Sequence, residues 1–108
     1  MKLTEERKEE VLALCKKLIS IRSYSGEEKG VADALKDFMK EKKFDQITTD
    51  KYGNVIGQIK GTKPGRKVLF DGHMDTVPAD NKEVWSYDPF VPVVEDGKLY
   101  GRGTSDMK

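Results

Sequence analysis

The sequence predicts an α/β chain, with helices packed on a mixed, mainly parallel central sheet, and three observations carry that prediction. Two segments near the start repeat apolar residues at helical spacing, the period changes to that of strands from Gln46 onward, and Val68-Leu69-Phe70 form an uninterrupted apolar run. Such a run suits a central strand covered on both faces, the position that α/β proteins flank with helices.

The first helix is expected from about Thr4 to Ser20, where Val11, Leu14, Cys15 and Leu18 follow the i, i+3, i+4, i+7 spacing of one face. Thr4 caps its start, and Glu5 and Glu6 suit the positive end of the helix dipole. The same stripe makes Cys15 a buried structural thiol, since free cysteine behaves as a small hydrophobe. A second helix is expected after Ser25-Gly26-Glu27-Glu28, read as a capping box in which Ser25 and Glu28 satisfy orphan backbone groups. Val31, Ala34, Leu35, Phe38 and Met39 supply its buried face, while Glu27 is a first-turn charge without catalytic part.

Gln46 to Lys51, Asn54 to Lys60 and Lys67 to Asp71 read as three strands, separated by Tyr52-Gly53 and by the loop Gly61-Thr62-Lys63-Pro64-Gly65. That loop lacks the spacing of a phosphate-binding loop and is a solvated turn. Asp96-Gly97 is a two-residue hairpin signal between Pro92 to Glu95 and Lys98 to Tyr100. Trp85 and Phe90, in the loop before it, are packing aromatics, with Trp85 and Phe90 also placed to shape an entrance.

Composition narrows the function classes. Twenty basic and nineteen acidic residues leave a formal net charge of +1, which removes the electrostatic case for nucleic acid. No apolar run approaches the roughly 18 residues of a membrane span, and the charged start is unlike a signal peptide. One cysteine makes no internal disulfide, and a cytoplasmic location is expected. The charged fraction is 36%, against about 25% in ordinary domains, so much of this chain faces water.

Chemistry concentrates in two places. In Phe70-Asp71-Gly72-His73-Met74-Asp75-Thr76-Val77-Pro78, His73 and Asp75 stand two apart where the apolar run passes into a loop. A neutral imidazole is a good Zn²⁺ donor, and a carboxylate on its second nitrogen fixes the tautomer. If the strand geometry of Val68 to Phe70 carries through, His73 and Asp75 turn to one side and Met74 to the other. On this triplet alone, a solvated polar loop is the competing reading. The second place is Leu99-Tyr100-Gly101-Arg102-Gly103-Thr104-Ser105-Asp106-Met107-Lys108, where a glycine-rich turn delivers one carboxylate, Asp106. A carboxylate can bridge two divalent ions about 3.5 to 4 Å apart, so Asp106 is a candidate bridge, and the hairpin before it is expected to swing it back toward His73.

With Trp85-Ser86-Tyr87-Asp88-Pro89-Phe90 between them, these motifs resemble, in order and register, the zinc-dependent metallopeptidases that include acetylornithine deacetylase, succinyl-diaminopimelate desuccinylase, aminoacylase and the glutamate carboxypeptidases. The opening Ile19-Ser20-Ile21-Arg22-Ser23-Tyr24-Ser25-Gly26-Glu27-Glu28 is similar to that family's start as well. The resemblance implies the N-terminal portion of a zinc-exopeptidase-like catalytic domain. By position it makes His73 a ligand to one metal, Asp106 the carboxylate bridging both, and Asp75 the catalytic-site aspartate that orients the imidazole. It also implies two Zn²⁺ ions per complete site, with Co²⁺ or Mn²⁺ as alternatives. A cis peptide bond after Asp106, a small peptide or N-acyl amino acid as substrate, and a homodimeric full-length protein follow from the same likeness.

The family's adjacent glutamate pair, its later acidic ligand and final histidine, and its inserted dimerisation domain have no counterpart in these 108 residues. The chain is therefore expected to be a fragment covering the first part of one catalytic domain, residues 1–108, and to be inactive alone. The rival reading is a non-catalytic α/β binding module that retains a hydrolase scaffold. A third is a truncated or proteolysed product without an independent role.

Overall fold

Helix α1 runs Glu5–Ser20 and α2 runs Lys29–Glu41 in the computed structural model, which describes residues 2–108. Thr4 caps α1 as expected, its hydroxyl accepting from the Arg7 N–H at 3.2 Å. The buried stripe of α1 lies in its second half, at Leu18 and Ile19, with Leu14 against it; Cys15 is half-buried. Val11 is 55% exposed, because the core cluster of Leu18, Val31 and Ala34 meets only the C-terminal part of the helix. Nearer its start, α1 is tied to the end of α2 by the exposed Lys42–Glu10 pair.

The entry to α2 departs from the capping box. Its N-cap is Glu28, whose side chain accepts from the Gly26 N–H at 2.7 Å rather than capping the helix, and Ser25 takes no part in a cap. Glu27 pairs with Arg22.

Strands β1 (Gln46–Thr49) and β2 (Val55–Gln58) form an antiparallel hairpin that α2 covers. Gly57 lets this hairpin approach: a Cβ there would come within 2.6 Å of the Met39 sulfur and 2.7 Å of the Phe44 ring. A second antiparallel hairpin joins β3 (Val93–Glu95) to β4 (Lys98–Tyr100). Its turn residues Asp96 and Gly97 have φ of 50° and 71°, the two positive angles that a type I′ turn requires.

The mainly parallel central sheet is not what the structure shows. Both sheets are two-stranded and antiparallel, and the parallel pairing among the described residues is an isolated bridge between Tyr24 and Thr76. Lys67 to Asp71 is not a strand: Val68, Leu69 and Phe70 are 75%, 87% and 91% exposed. A strand needs a neighbour for its backbone N–H and C=O groups, and no described segment pairs with this one. The molecule measures 53 × 37 × 22 Å with a radius of gyration of 15.7 Å. A compact domain of this length has about 13 Å, so the apolar run lies on an extended body rather than inside one. Among the described residues, no helix is long and apolar enough to cross a membrane.

Candidate metal centre

The loop that carries His73 and Asp75 is held from behind by its own middle residue and by the segment that leads into α2. Met74 packs against the Leu18, Val31 and Ala34 cluster, so its side chain turns away from those of His73 and Asp75. The wholly buried Ser23 donates its hydroxyl to the Met74 carbonyl at 2.7 Å, and the Ser23 carbonyl accepts from the Thr76 N–H at 2.8 Å. The Ala79 N–H donates to the Tyr24 hydroxyl at 3.3 Å, while the Ser25 hydroxyl donates to Asp75 Oδ2 at 2.5 Å. Three consecutive residues, Ser23 to Ser25, thus clamp the histidine loop.

The loop that carries Asp106 docks on the same body. Gly101 sits against Ile19, the Arg102 N–H donates to the Pro89 carbonyl at 2.7 Å, and the Arg102 guanidinium donates to the Pro78 carbonyl at 3.2 Å. That guanidinium also lies 4.9 Å from the Trp85 ring centre, a cation–π contact. Gly103, at φ 95°, lies so close to Thr76 that an added Cβ would meet the threonine methyl at 3.2 Å. Lys108 reaches back to donate to the Leu18 and Ile21 carbonyls at the end of α1.

These anchors bring the two motifs together. His73 Nε2 lies 2.7 Å from Asp106 Oδ1, across 33 residues of sequence. Its Nδ1 lies 2.9 Å from the Asp75 backbone carbonyl and 3.2 Å from Asp75 Oδ1. The nearer oxygen on Nδ1 is therefore a main-chain one, with the carboxylate second. The Asp106 hydrogen bond, more than the Asp75 carbonyl, holds the imidazole pKa above its ordinary value. The Ser25 hydroxyl is the main influence holding the Asp75 carboxyl below the usual range, with the imidazole contributing less. All three functional groups face a cleft of about 550 Å³, which Trp85, Tyr87 and Arg102 also line. A volume of that order suits a small molecule.

As a donor set, this arrangement fits part of a zinc centre. The imidazole directs Nδ1 at the Asp75 carbonyl and its Nε2–H at an Asp106 carboxylate oxygen, and a cation in place of that proton would be held by the same nitrogen and oxygen. Catalytic zinc takes three protein ligands, and among the described residues no group of three His, Cys, Asp or Glu side chains forms a complete cage. The peptide bond after Asp106 is trans, as are all those described, against the cis bond expected there. A non-proline cis bond costs about 2.5 to 4 kcal/mol, and neither the 85% exposed Asp106 side chain nor the 44% exposed Met107 is packed tightly enough to hold one.

Phe90 packs on Tyr24, with ring centres 6.1 Å apart, whereas Trp85 lines the cleft. Sequence reasoning assigned no site role to Ser23, Tyr24, Ser25 or Arg102. The local signal at Ser25 pointed to a helix cap, and nothing in its spacing pointed to a partner fifty residues away.

Comparison with known proteins agrees with the likeness read from the motifs. Residues 69–108 match peptidase family M20/M25/M40. The chain is 40% identical over 99 residues to succinyl-diaminopimelate desuccinylase of Vesicomyosocius okutanii, covering 90% of this chain and 26% of that protein. It is 41% identical over 104 residues to the enzyme of the same name from Delftia acidovorans, covering 90% of this chain and 27% of that protein. It is also 35% identical over 115 residues to N-formyl-4-amino-5-aminomethyl-2-methylpyrimidine deformylase of Bacillus subtilis, covering 99% and 27%. The chain thus spans about a quarter of the length of these curated relatives. It resembles the N-terminal part of this metallopeptidase family.

Proposed function

We propose that this chain supplies part of the active centre of a metal-dependent hydrolase that cleaves amide bonds, either a peptide bond or the N-acyl bond of an amino acid. The observation that carries the reading is the 2.7 Å approach of His73 Nε2 to Asp106 Oδ1 in a cleft of substrate size. Relatives named for removing succinyl and formyl groups support the N-acyl class.

In this reading His73 and Asp106 would hold zinc, with Asp106 the carboxylate shared between two ions. Zinc, when bound, supplies a Lewis acid for the scissile carbonyl and makes water more acidic. The remaining steps belong to the protein. The Asp75 carbonyl and carboxylate on His73 Nδ1 would leave Nε2, here bonded to Asp106 Oδ1, as the ligating nitrogen. Trp85, which lines the cleft, would shield one side of the substrate from water. Residues 1–108 form the first part of one catalytic domain; the general base and remaining ligands come from the rest of a protein that acts as a homodimer in the cytoplasm. That assignment rests on the family likeness and on the two-donor site seen here.

The test is metal content and amide hydrolysis of the complete protein and its His73→Ala and Asp106→Ala variants. Each substitution is expected to remove most bound zinc and nearly all turnover. Wild-type zinc and rates in either variant would refute the reading.

A further inference from the structure

We propose that Ser25 is a positioning residue of the metal centre: its hydroxyl holds the Asp75 carboxylate, and through it sets the orientation of the His73 imidazole. The inference rests on the metal-centre reading above and adds an outer layer to it. Ser25 is free for this role because α2 begins at Lys29 behind Glu28, and Glu28 turns its carboxylate to the Gly26 N–H. Ser25 then reaches Asp75 Oδ2 at 2.5 Å, which leaves Oδ1 to face His73 Nδ1 at 3.2 Å. Each oxygen of Asp75 thereby has one partner, and the carboxylate cannot rotate without losing both.

The geometry that delivers Ser25 is independent of the contact itself. Tyr24 and Thr76 form a parallel bridge, the Thr76 N–H donates to the Ser23 carbonyl, and the Ser23 hydroxyl donates to the Met74 carbonyl. These bonds fix the register in which Ser25 falls opposite Asp75. Ser25 is exposed, so its bond is not needed to satisfy a buried polar atom. Its consequence is orientation, since a histidine ligand takes its tautomer from the partner of its other nitrogen.

The experiment compares the chain with its Ser25→Ala and Ser25→Thr variants. His73 is the one histidine, so its ring nitrogens give unambiguous ¹⁵N signals. In metal-free protein, at a pH where the ring is neutral, the ratio of Nδ1–H to Nε2–H tautomer is expected to fall about fivefold in Ser25→Ala. It should be restored in Ser25→Thr, with the melting temperature of all three unchanged. An unaltered ratio in Ser25→Ala, or a change accompanied by a lower melting temperature, overturns the positioning role. Zinc affinity, measured on the complete protein by chelator competition, is expected to weaken about tenfold in Ser25→Ala. A wild type that binds no zinc overturns the metal reading alone, and the tautomer ratio still decides the role of Ser25.

Discussion

Replacing Gly101 with alanine tests whether the approach of the Asp106 loop to the helical core is as close as the structure has it. An added Cβ would lie 2.5 Å from Ile19 Cγ2 and 3.3 Å from the Pro89 carbonyl oxygen. Carbon atoms in contact sit about 3.5 to 4.0 Å apart, so loop and helix must separate by about 1 Å. Ile19 has nowhere to go, being 1% exposed. Overpacking of this kind, on a backbone whose φ of 157° an L residue rarely adopts, costs about 1 to 3 kcal/mol. With a urea dependence of about 1 to 2 kcal/mol per molar for a chain of this size, a loss near 2 kcal/mol lowers the unfolding midpoint by about 1 to 2 M. The control is Gly65→Ala, where a Cβ meets nothing within 4 Å and φ is not positive; its effect should stay within about 0.5 kcal/mol. Because Gly101 opens the turn that leads to Asp106, the shift should also lengthen the His73–Asp106 contact, visible as a changed ¹⁵N spectrum of the single imidazole. Equal midpoints for the two alanine variants would refute the packing argument.

Ser23→Ala removes a fully buried hydroxyl and leaves the Met74 carbonyl short of a partner, so a loss of about 1 to 3 kcal/mol is expected in denaturant unfolding. Leu18→Ala, in the cluster with Val31 and Ala34, should cost about 2 to 5 kcal/mol by the same measurement, and a smaller loss would mean that the core is not closed there. Hydrogen bonds from Lys29 and Lys36 hold the Asp33 carboxyl down to about 2. Its folded-state value is below the unfolded one, so the contribution of these pairs is present above about pH 4 and is lost as pH falls toward 2. Carboxyl ¹³C titration should show Asp33 titrating well below the usual carboxylate range, and Lys29→Gln with Lys36→Gln should return it to the ordinary range.

The parts of this protein legible in the chain were those whose cause is local. Thr4 announced the start of α1, and Asp96-Gly97 the β3–β4 turn, because a cap or a pair of positive φ angles is set by neighbouring residues. The motif residues His73, Asp75 and Asp106 stood out as candidates through their likeness to a family's motifs, since on the His-x-Asp triplet alone a solvated polar loop competes. The apolar run Val68-Leu69-Phe70 was misread as a central strand because apolar character sets a demand for burial without supplying the neighbour that meets it.

Tertiary structure decided everything that depends on two distant segments meeting. Ser25 satisfies the capping pattern in sequence, yet its hydroxyl goes to Asp75, since the Tyr24–Thr76 bridge brings that carboxylate within its reach. Arg102 reads as a polar residue between two glycines, and only the fold lays it across Trp85 and against Pro78. The sequence by itself marked which groups are candidates to bind a metal. The fold determined which of their atoms face one another, because hydrogen bonds between loops fix orientation to a few tenths of an ångström and no residue spacing encodes that.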